Sequence, residues 1–267
     1  LETKMITIDT QLCEDLLREI TKEIAAAGPK FASSLPLEQQ IAYVRKASKE
    51  AENRLRSHLE MHYPNIGWTG EDDRPHQTDY WLYDPIDGAY HYLQGLPLWS
   101  ASLVLVRNGE AVFSIVYDPI LDEMFIALRN GGASCNGVAL HASAKTELKA
   151  AVVGSAISPL AQVGQEQQDE ALSLIRSVAR SVFVVRPMAA ASLQLAYVSA
   201  GRLDAYADVG QDAADWFAGA LLVREASGLV TDLRGGEFGW TGEGILAGGN
   251  VIQPALRASI TTAQIQA

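Results

Sequence analysis

The chain has 267 residues, and its 21 Lys and Arg against 32 Asp and Glu leave a formal net charge of −11. With 48% apolar and 20% charged residues, the composition is that of a globular protein with a sizeable core, and it excludes a disordered, collagenous or disulfide-stapled chain. The acidic balance argues against a nucleic-acid-binding face, which needs clustered Lys and Arg, but it admits a small anionic substrate if a metal carries the positive charge.

Leu12, Leu16, Leu17, Ile20 and Ile24 share one helical face, and Gly28 closes the pattern. Residues 29–37 read as loop. Ile41, Val44, Ala51, Leu55 and Leu59 predict a second amphipathic helix ending near Pro64. Residues 80–83, Tyr-Trp-Leu-Tyr, predict a buried strand that Pro85 stops. The runs 102–107, 111–117 and 123–128 predict an antiparallel meander, with Asn108-Gly109 as a hairpin turn. After Ala150 strands and helices alternate: strands at 151–157, 182–186, 203–207 and 244–248, helices at 167–180, 189–200, 215–227 and 252–263. Such alternation implies a layered α/β architecture. The change of texture near residue 145 divides the chain into an N-terminal α+β half, 1–145, and a C-terminal α/β half, 146–267. No apolar run approaches the 18 or so residues of a membrane span, and no leader pattern opens the sequence. Cys13 and Cys135 suit a reducing compartment, so a cytoplasmic protein is expected.

The most informative stretch is Asp84-Pro85-Ile86-Asp87-Gly88. Two carboxylates three residues apart at a strand end point into one space, where like charges repel unless a cation lies between them. Oxygen ligands without His or Cys nearby favour Mg²⁺, Mn²⁺ or Ca²⁺ over zinc. Glu71-Asp72-Asp73 adds a second acidic cluster, and Asp215 opens a helix where an Asp also serves as an ordinary N-cap. Read alone, Asp-Pro and Asp-Gly are also common turn formers.

Gly70-Glu71-Asp72, Asp84-Pro85-Ile86-Asp87-Gly88, and Asp215 ten residues before Glu225-Ala226-Ser227-Gly228 together resemble the inositol monophosphatase family. Its patterns are Gly-Glu-Glu, Asp-Pro-Ile-Asp-Gly-Thr, and Trp-Asp followed by Glu-Ala-Gly-Gly. Val116-Tyr117-Asp118-Pro119 and the run from Ser199 to Tyr206 look like the family's too, and the match extends from about residue 60 to 235. The resemblance implies a five-layer αβαβα sandwich of the inositol monophosphatase and fructose-1,6-bisphosphatase type, a homodimer, and two or three Mg²⁺ ions, with Mn²⁺ as a substitute. By resemblance Glu71, Asp84 and the carbonyl of Ile86 hold one ion, and Asp84, Asp87 and Asp215 a second. Glu71, Asp84 and Asp87 are then the catalytic set. The backbone N–H groups of Gly88 and Ala89 take the phosphate, and Asp208, Ser155 and Ala191 contact the alcohol. The activity implied is hydrolysis of a small polyol or sugar phosphate by ion-activated water.

The chain departs from the family where water is activated. The family Thr after Asp-Gly is Ala89, and its partner Asp falls at Ser48. No family-like active-site Lys aligns, and Trp216 follows Asp215 instead of preceding it. His91 is the nearest replacement in sequence. Two functions therefore stand: a phosphomonoesterase, or a weak or inactive homologue that binds metal, phosphate ligands or a protein partner as a regulator. Positioned acid–base help contributes about 10²–10⁴-fold, so its loss leaves a slow enzyme or another activating group.

Overall fold

The computed structural model describes residues 8–28, 34–70 and 77–265, with side chains described to Thr261. The first helix, α1 (Thr10–Ala27), begins where the Asp9 side chain accepts the N–H of Leu12 at 3.0 Å and ends where the Gly28 N–H returns to the carbonyl of Ile24. Its buried face is Cys13, Leu17, Ile20 and Ile24. The second helix, α2 (Leu37–His62), buries Ala51, Leu55 and Leu59. It starts earlier than its apolar positions predict, because its first turns are solvated. Of the loop expected at 29–37, residues 29–33 lie outside the described residues.

Strands β1 (Gly67–Trp68), β2 (Asp79–Asp87), β3 (Ser100–Arg107), β4 (Glu110–Asp118), β5 (Glu123–Leu128), β6 (Gly132–Cys135) and β7 (Val138–Ala139) form one sheet in chain order. β1 runs parallel to β2, and the remaining pairs are antiparallel. Asn108 and Gly109 turn the β3–β4 hairpin with φ of 50° and 82°, as a mirror-image turn requires. Pro85 does not stop β2. The β2–β3 register shifts between Asp84 and Asp87, and β1 reaches no further than Trp81, so no ladder hydrogen bond is demanded of the proline.

Strand alternation sends side chains to both faces of this sheet. Trp81, Leu103, Leu105, Phe113, Ile115 and Tyr117 pack on α1 and α2. Tyr80, Leu82, Val104, Val116 and Phe125 pack on the opposite side against α5 (Ala191–Ser199) and α6 (Ala213–Glu225). With both faces covered, the strands read as continuous apolar runs.

The second sheet has the order β11-β12-β10-β8-β9, with β8 (Val152–Ser155), β9 (Val184–Pro187), β10 (Ala205–Asp208), β11 (Leu229–Thr231) and β12 (Ile245–Gly248). One face, through Tyr206, Val230, Ile245 and Ala247, meets α5 and α6. The other, through Val153, Ala205, Ala207 and Leu246, meets α4 (Leu160–Ala179) and α7 (Ile252–Ile265). The layers are α1/α2, first sheet, α5/α6, second sheet, α4/α7: the five-layer αβαβα sandwich. The helix expected at 167–180 begins earlier, at Leu160, but Gly164 (φ 81°, ψ 170°) breaks its first turn.

Two carboxylates tie the parts together. Asp204, 2% exposed, accepts from Lys145 Nζ at 2.8 Å, the Ser143 hydroxyl at 2.5 Å and the Val152 N–H at 2.7 Å. Glu225, at the end of α6, accepts the N–H groups of Asn130 and Gly132, both at 2.9 Å, and so holds the β5–β6 turn.

Candidate active site

At its bulge β2 leaves the first sheet, and Gly88, in the left-handed conformation (φ 89°), turns the chain into α3 (Ala89–Gln94). A side chain at Gly88 would stand 3.0 Å from both the Ala190 Cβ and the Leu98 carbonyl, so glycine is what lets the starts of α3 and α5 approach. The start of α6 and the end of β10 complete a cleft of about 530 Å³. Asp84, Ile86, Asp87, Gly88, Ala89, Ala191, Asp208, Asp212 and Asp215 all line it. Helix starts carry partial positive charge and unpaired N–H groups, so an acid-rich cleft also receives donors for an anion.

The carboxylates are held by nearby backbone. Asp84 Oδ1 accepts the Ile86 N–H at 2.9 Å. Asp87 is nearly buried and caps α5: Oδ1 accepts the Ala191 N–H at 3.2 Å, and Oδ2 accepts the Ser192 N–H at 2.8 Å and the Ser192 hydroxyl. The Ser192 hydroxyl lies 3.0 Å from that of Ser100, the β3 residue opposite Asp87. Burial pushes the Asp87 carboxyl up, and the hydrogen bonds from α5 oppose that shift. Asp208 ends β10, with Oδ2 accepting from the Tyr206 hydroxyl at 2.6 Å. Its carboxyl is pushed up to about 7, chiefly by burial.

Several expectations are corrected. Asp215 is not the first residue of its helix. Asp212 is the N-cap, and Asp215 sits in the first turn of α6, its N–H bonded to the Asp212 carbonyl at 3.0 Å. Ser155 is 3% exposed and does not line the cleft; Ala156 beside it does. His91 gives its Nδ1 to the Leu98 carbonyl at 2.8 Å and is absent from the lining, so its ring is turned elsewhere. Glu71 lies outside the described residues, as do Asp72 and Asp73. Among the described residues, no three of His, Cys, Asp and Glu stand close enough together to hold a metal ion. The donor set still fits a hard cation in kind: oxygen only, several carboxylates in one cleft, and one of them buried.

Sequence reasoning missed the α2 wall. Arg45, Ser48, Lys49 and Glu52 all line the cleft. Family spacing places only Ser48 there. Their spacing of three, four and seven residues is one helical stripe, a signal legible beside the apolar positions of α2. This wall brings cations to a cleft for which no lysine could be aligned.

The fold and site define a layered αβαβα protein with an acid-lined cleft at three helix starts. A family model described as the inositol monophosphatase family matches residues 2–265. The chain belongs to that family. It is 35% identical over 225 residues to an inositol-1-monophosphatase of Mesorhizobium japonicum, covering 82% of each chain. It is 34% identical over 229 residues to the Nus factor SuhB of Pseudomonas aeruginosa, covering 83% of each. An inositol monophosphatase structure from Anabaena superposes with a TM-score of 0.80 at 23% identity, over 96% of this chain and 97% of that one, which supports the fold.

Proposed function

We propose that the protein is a Mg²⁺-dependent phosphomonoesterase acting on a small polyol or sugar phosphate. The observation that carries this reading is the meeting of Asp84, Asp87, Asp208 and Asp215 with the starts of α3, α5 and α6 in one cleft of an inositol monophosphatase family member. Asp84, Asp87, Asp215 and the Ile86 carbonyl, with Glu71, are the groups that would hold two or three Mg²⁺ or Mn²⁺ ions. Such ions neutralise phosphate charge and lower the pKa of the attacking water.

The chain's own residues supply the remainder. Gly88 and Ala89 offer backbone N–H groups to the phosphate. Asp87 has both oxygens engaged by α5, so it meets a cation from a fixed position. Asp208 and the Ala191 backbone face the alcohol. Arg45 and Lys49 oppose the negative charge of the floor. The strands of the first sheet end at Ala139 and those of the second begin at Val152. On that basis residues 1–145 carry most of the ion-binding groups, and 146–267 complete the cleft with Ala191, Asp208 and Asp215. Among the described residues no helix is long and apolar enough to cross a membrane; a cytoplasmic location is part of this reading and is supported by family membership. A homodimer is part of the same reading, and family membership is its support.

A second reading is favoured by Ala89, which has no hydroxyl to orient water, and by similarity to a protein named a Nus factor: a weak or inactive homologue that binds ions or phosphate ligands as a regulator. One assay separates the two. Purified protein with Mg²⁺ is expected to release phosphate from a panel including inositol 1-phosphate, glycerol 2-phosphate and sugar phosphates. Release no greater than the metal-only blank across that panel would reject the enzyme and leave the regulator.

A further inference from the structure

With Ala89 in place of a hydroxyl residue and His91 bonded elsewhere, the cleft needs another acceptor for the proton of the attacking water. Of the described carboxylates lining it, Asp84, Asp87 and Asp215 are assigned to cations. Asp208 is bonded to Tyr206, and Asp212, the N-cap residue of α6 whose side chain makes no cap hydrogen bond, stands at the same helix start as Asp215. Glu52 alone among them comes from α2, and it is half-buried at the wall. Its Oε2 is 2.8 Å from Lys49 Nζ, and among the described residues Oε1 has no hydrogen-bond partner. Ser48 lies one turn earlier on the same face, at a spacing that puts Cβ atoms about 5–6 Å apart, so a single water can reach both side chains. The strands beside α2 carry two buried polar atoms without a hydrogen-bond partner among the described residues, the Tyr83 hydroxyl and Trp68 Nε1, both on cleft-lining residues. Buried donors of this kind are usually satisfied by ordered water.

We infer that Glu52 is the general base of this cleft and that Ser48 holds the attacking water beside it. This assignment rests on the phosphomonoesterase reading above. In the step, the water oxygen bonds to phosphorus as its O–H bond breaks, and that proton passes to Glu52. The bond from phosphorus to the ester oxygen breaks, and the departing alkoxide takes a proton from solvent. Glu52 then returns its own proton to solvent. The products are the free alcohol and inorganic phosphate.

The test uses the full chain with Mn²⁺ and the best phosphate ester of the panel. Glu52→Gln should lower kcat by about 100-fold or more, the range of positioned proton transfer, with KM and the calorimetric affinity for Mn²⁺ held within about threefold. Ser48→Ala should lower kcat less, in the same direction. Added formate should restore at least part of the turnover of Glu52→Ala by replacing the missing carboxylate. Glu50→Gln, exposed on the same helix, is the control that leaves kcat unchanged. The assignment is overturned if Glu52→Gln keeps kcat within threefold of the parent, if its Mn²⁺ affinity collapses, making Glu52 a ligand, or if formate gives no rescue. A parent protein without turnover defeats the phosphatase reading itself, and this one with it.

Discussion

Asp208 shows how one buried carboxyl couples the cleft to pH. Its pKa is raised from 3.8 to about 7, with burial as the leading cause and the hydrogen bonds from Tyr206 and Val209 opposing it. Between those values the folded chain keeps a proton that the unfolded chain has released. Stability therefore falls as pH rises through the window from about 4 to 7. Asp208→Asn replaces the neutral acid with an amide of the same shape and removes that loss. The metal-free variant should melt at least about 2–4 °C above the parent at pH 8, the shift expected per kcal/mol for a chain of this size, and the gap should close toward pH 4. Equal melting temperatures at pH 8 would show that the carboxyl ionises without cost. Burial pushes the Asp87 carboxyl up as well, against several donors from one helix start, and those bonds tie Asp87 to α5 whether or not a cation is present.

At the scale of elements, the cleft depends on how closely α5 and α6 pack, because Ala191 opens one and Asp215 lies in the first turn of the other. Gly219 sits inside α6, where a Cβ would stand 2.3 Å from the Leu195 Cβ of α5. The contact involves the root of a core side chain that cannot swing away, so the helices must separate. Gly219→Ala should cost about 1–3 kcal/mol, as overpacked cores do, which chemical denaturation would measure, and it should weaken ion binding as the two helix starts move apart. A variant as stable as the parent would show that the helices have slack. Neither helix has a marked apolar stripe, because both are covered by sheets on two sides. Their sequences read as generally apolar, and only the alternation with strands pointed to helices.

At the scale of the whole molecule, the acids come from separate layers: β2 of the first sheet, β10 of the second, and the helices between them. Folding therefore brings like charges together, and a divalent ion that offsets them should stabilise the entire chain. Mn²⁺ at about 100 times its dissociation constant should add about 2.7 kcal/mol to folding, seen as a rise in melting temperature that EDTA reverses. In Asp84→Asn both that rise and calorimetric Mn²⁺ binding should vanish. An unchanged response would remove Asp84 from the ligand set. The interlayer core is common to both sheets, since Tyr80 and Phe125 of the first and Tyr206 and Ile245 of the second meet the same helices. The halves drawn at residue 145 are accordingly neighbours in one packed structure.

The amino-acid sequence by itself determined the local elements and their order. Gly28, Asn108-Gly109 and the apolar spacing of α1 act within a few residues, and the acidic motifs around Asp84 and Asp215 declared the family through short spacings. It did not show that β2 continues through Pro85, because that depends on where its neighbours β1 and β3 stop pairing. It did not show that Ser155 is buried, because that depends on chain that arrives from elsewhere in the fold, or that His91 is engaged by Leu98, because that depends on how the chain turns back after α3. Above all, it did not show that Arg45, Lys49 and Glu52 join Ser48 in lining the cleft with the carboxylates of β2. A polar helical stripe looks the same whether it meets solvent or a cleft, and only the packing of α2 on the first sheet decides which.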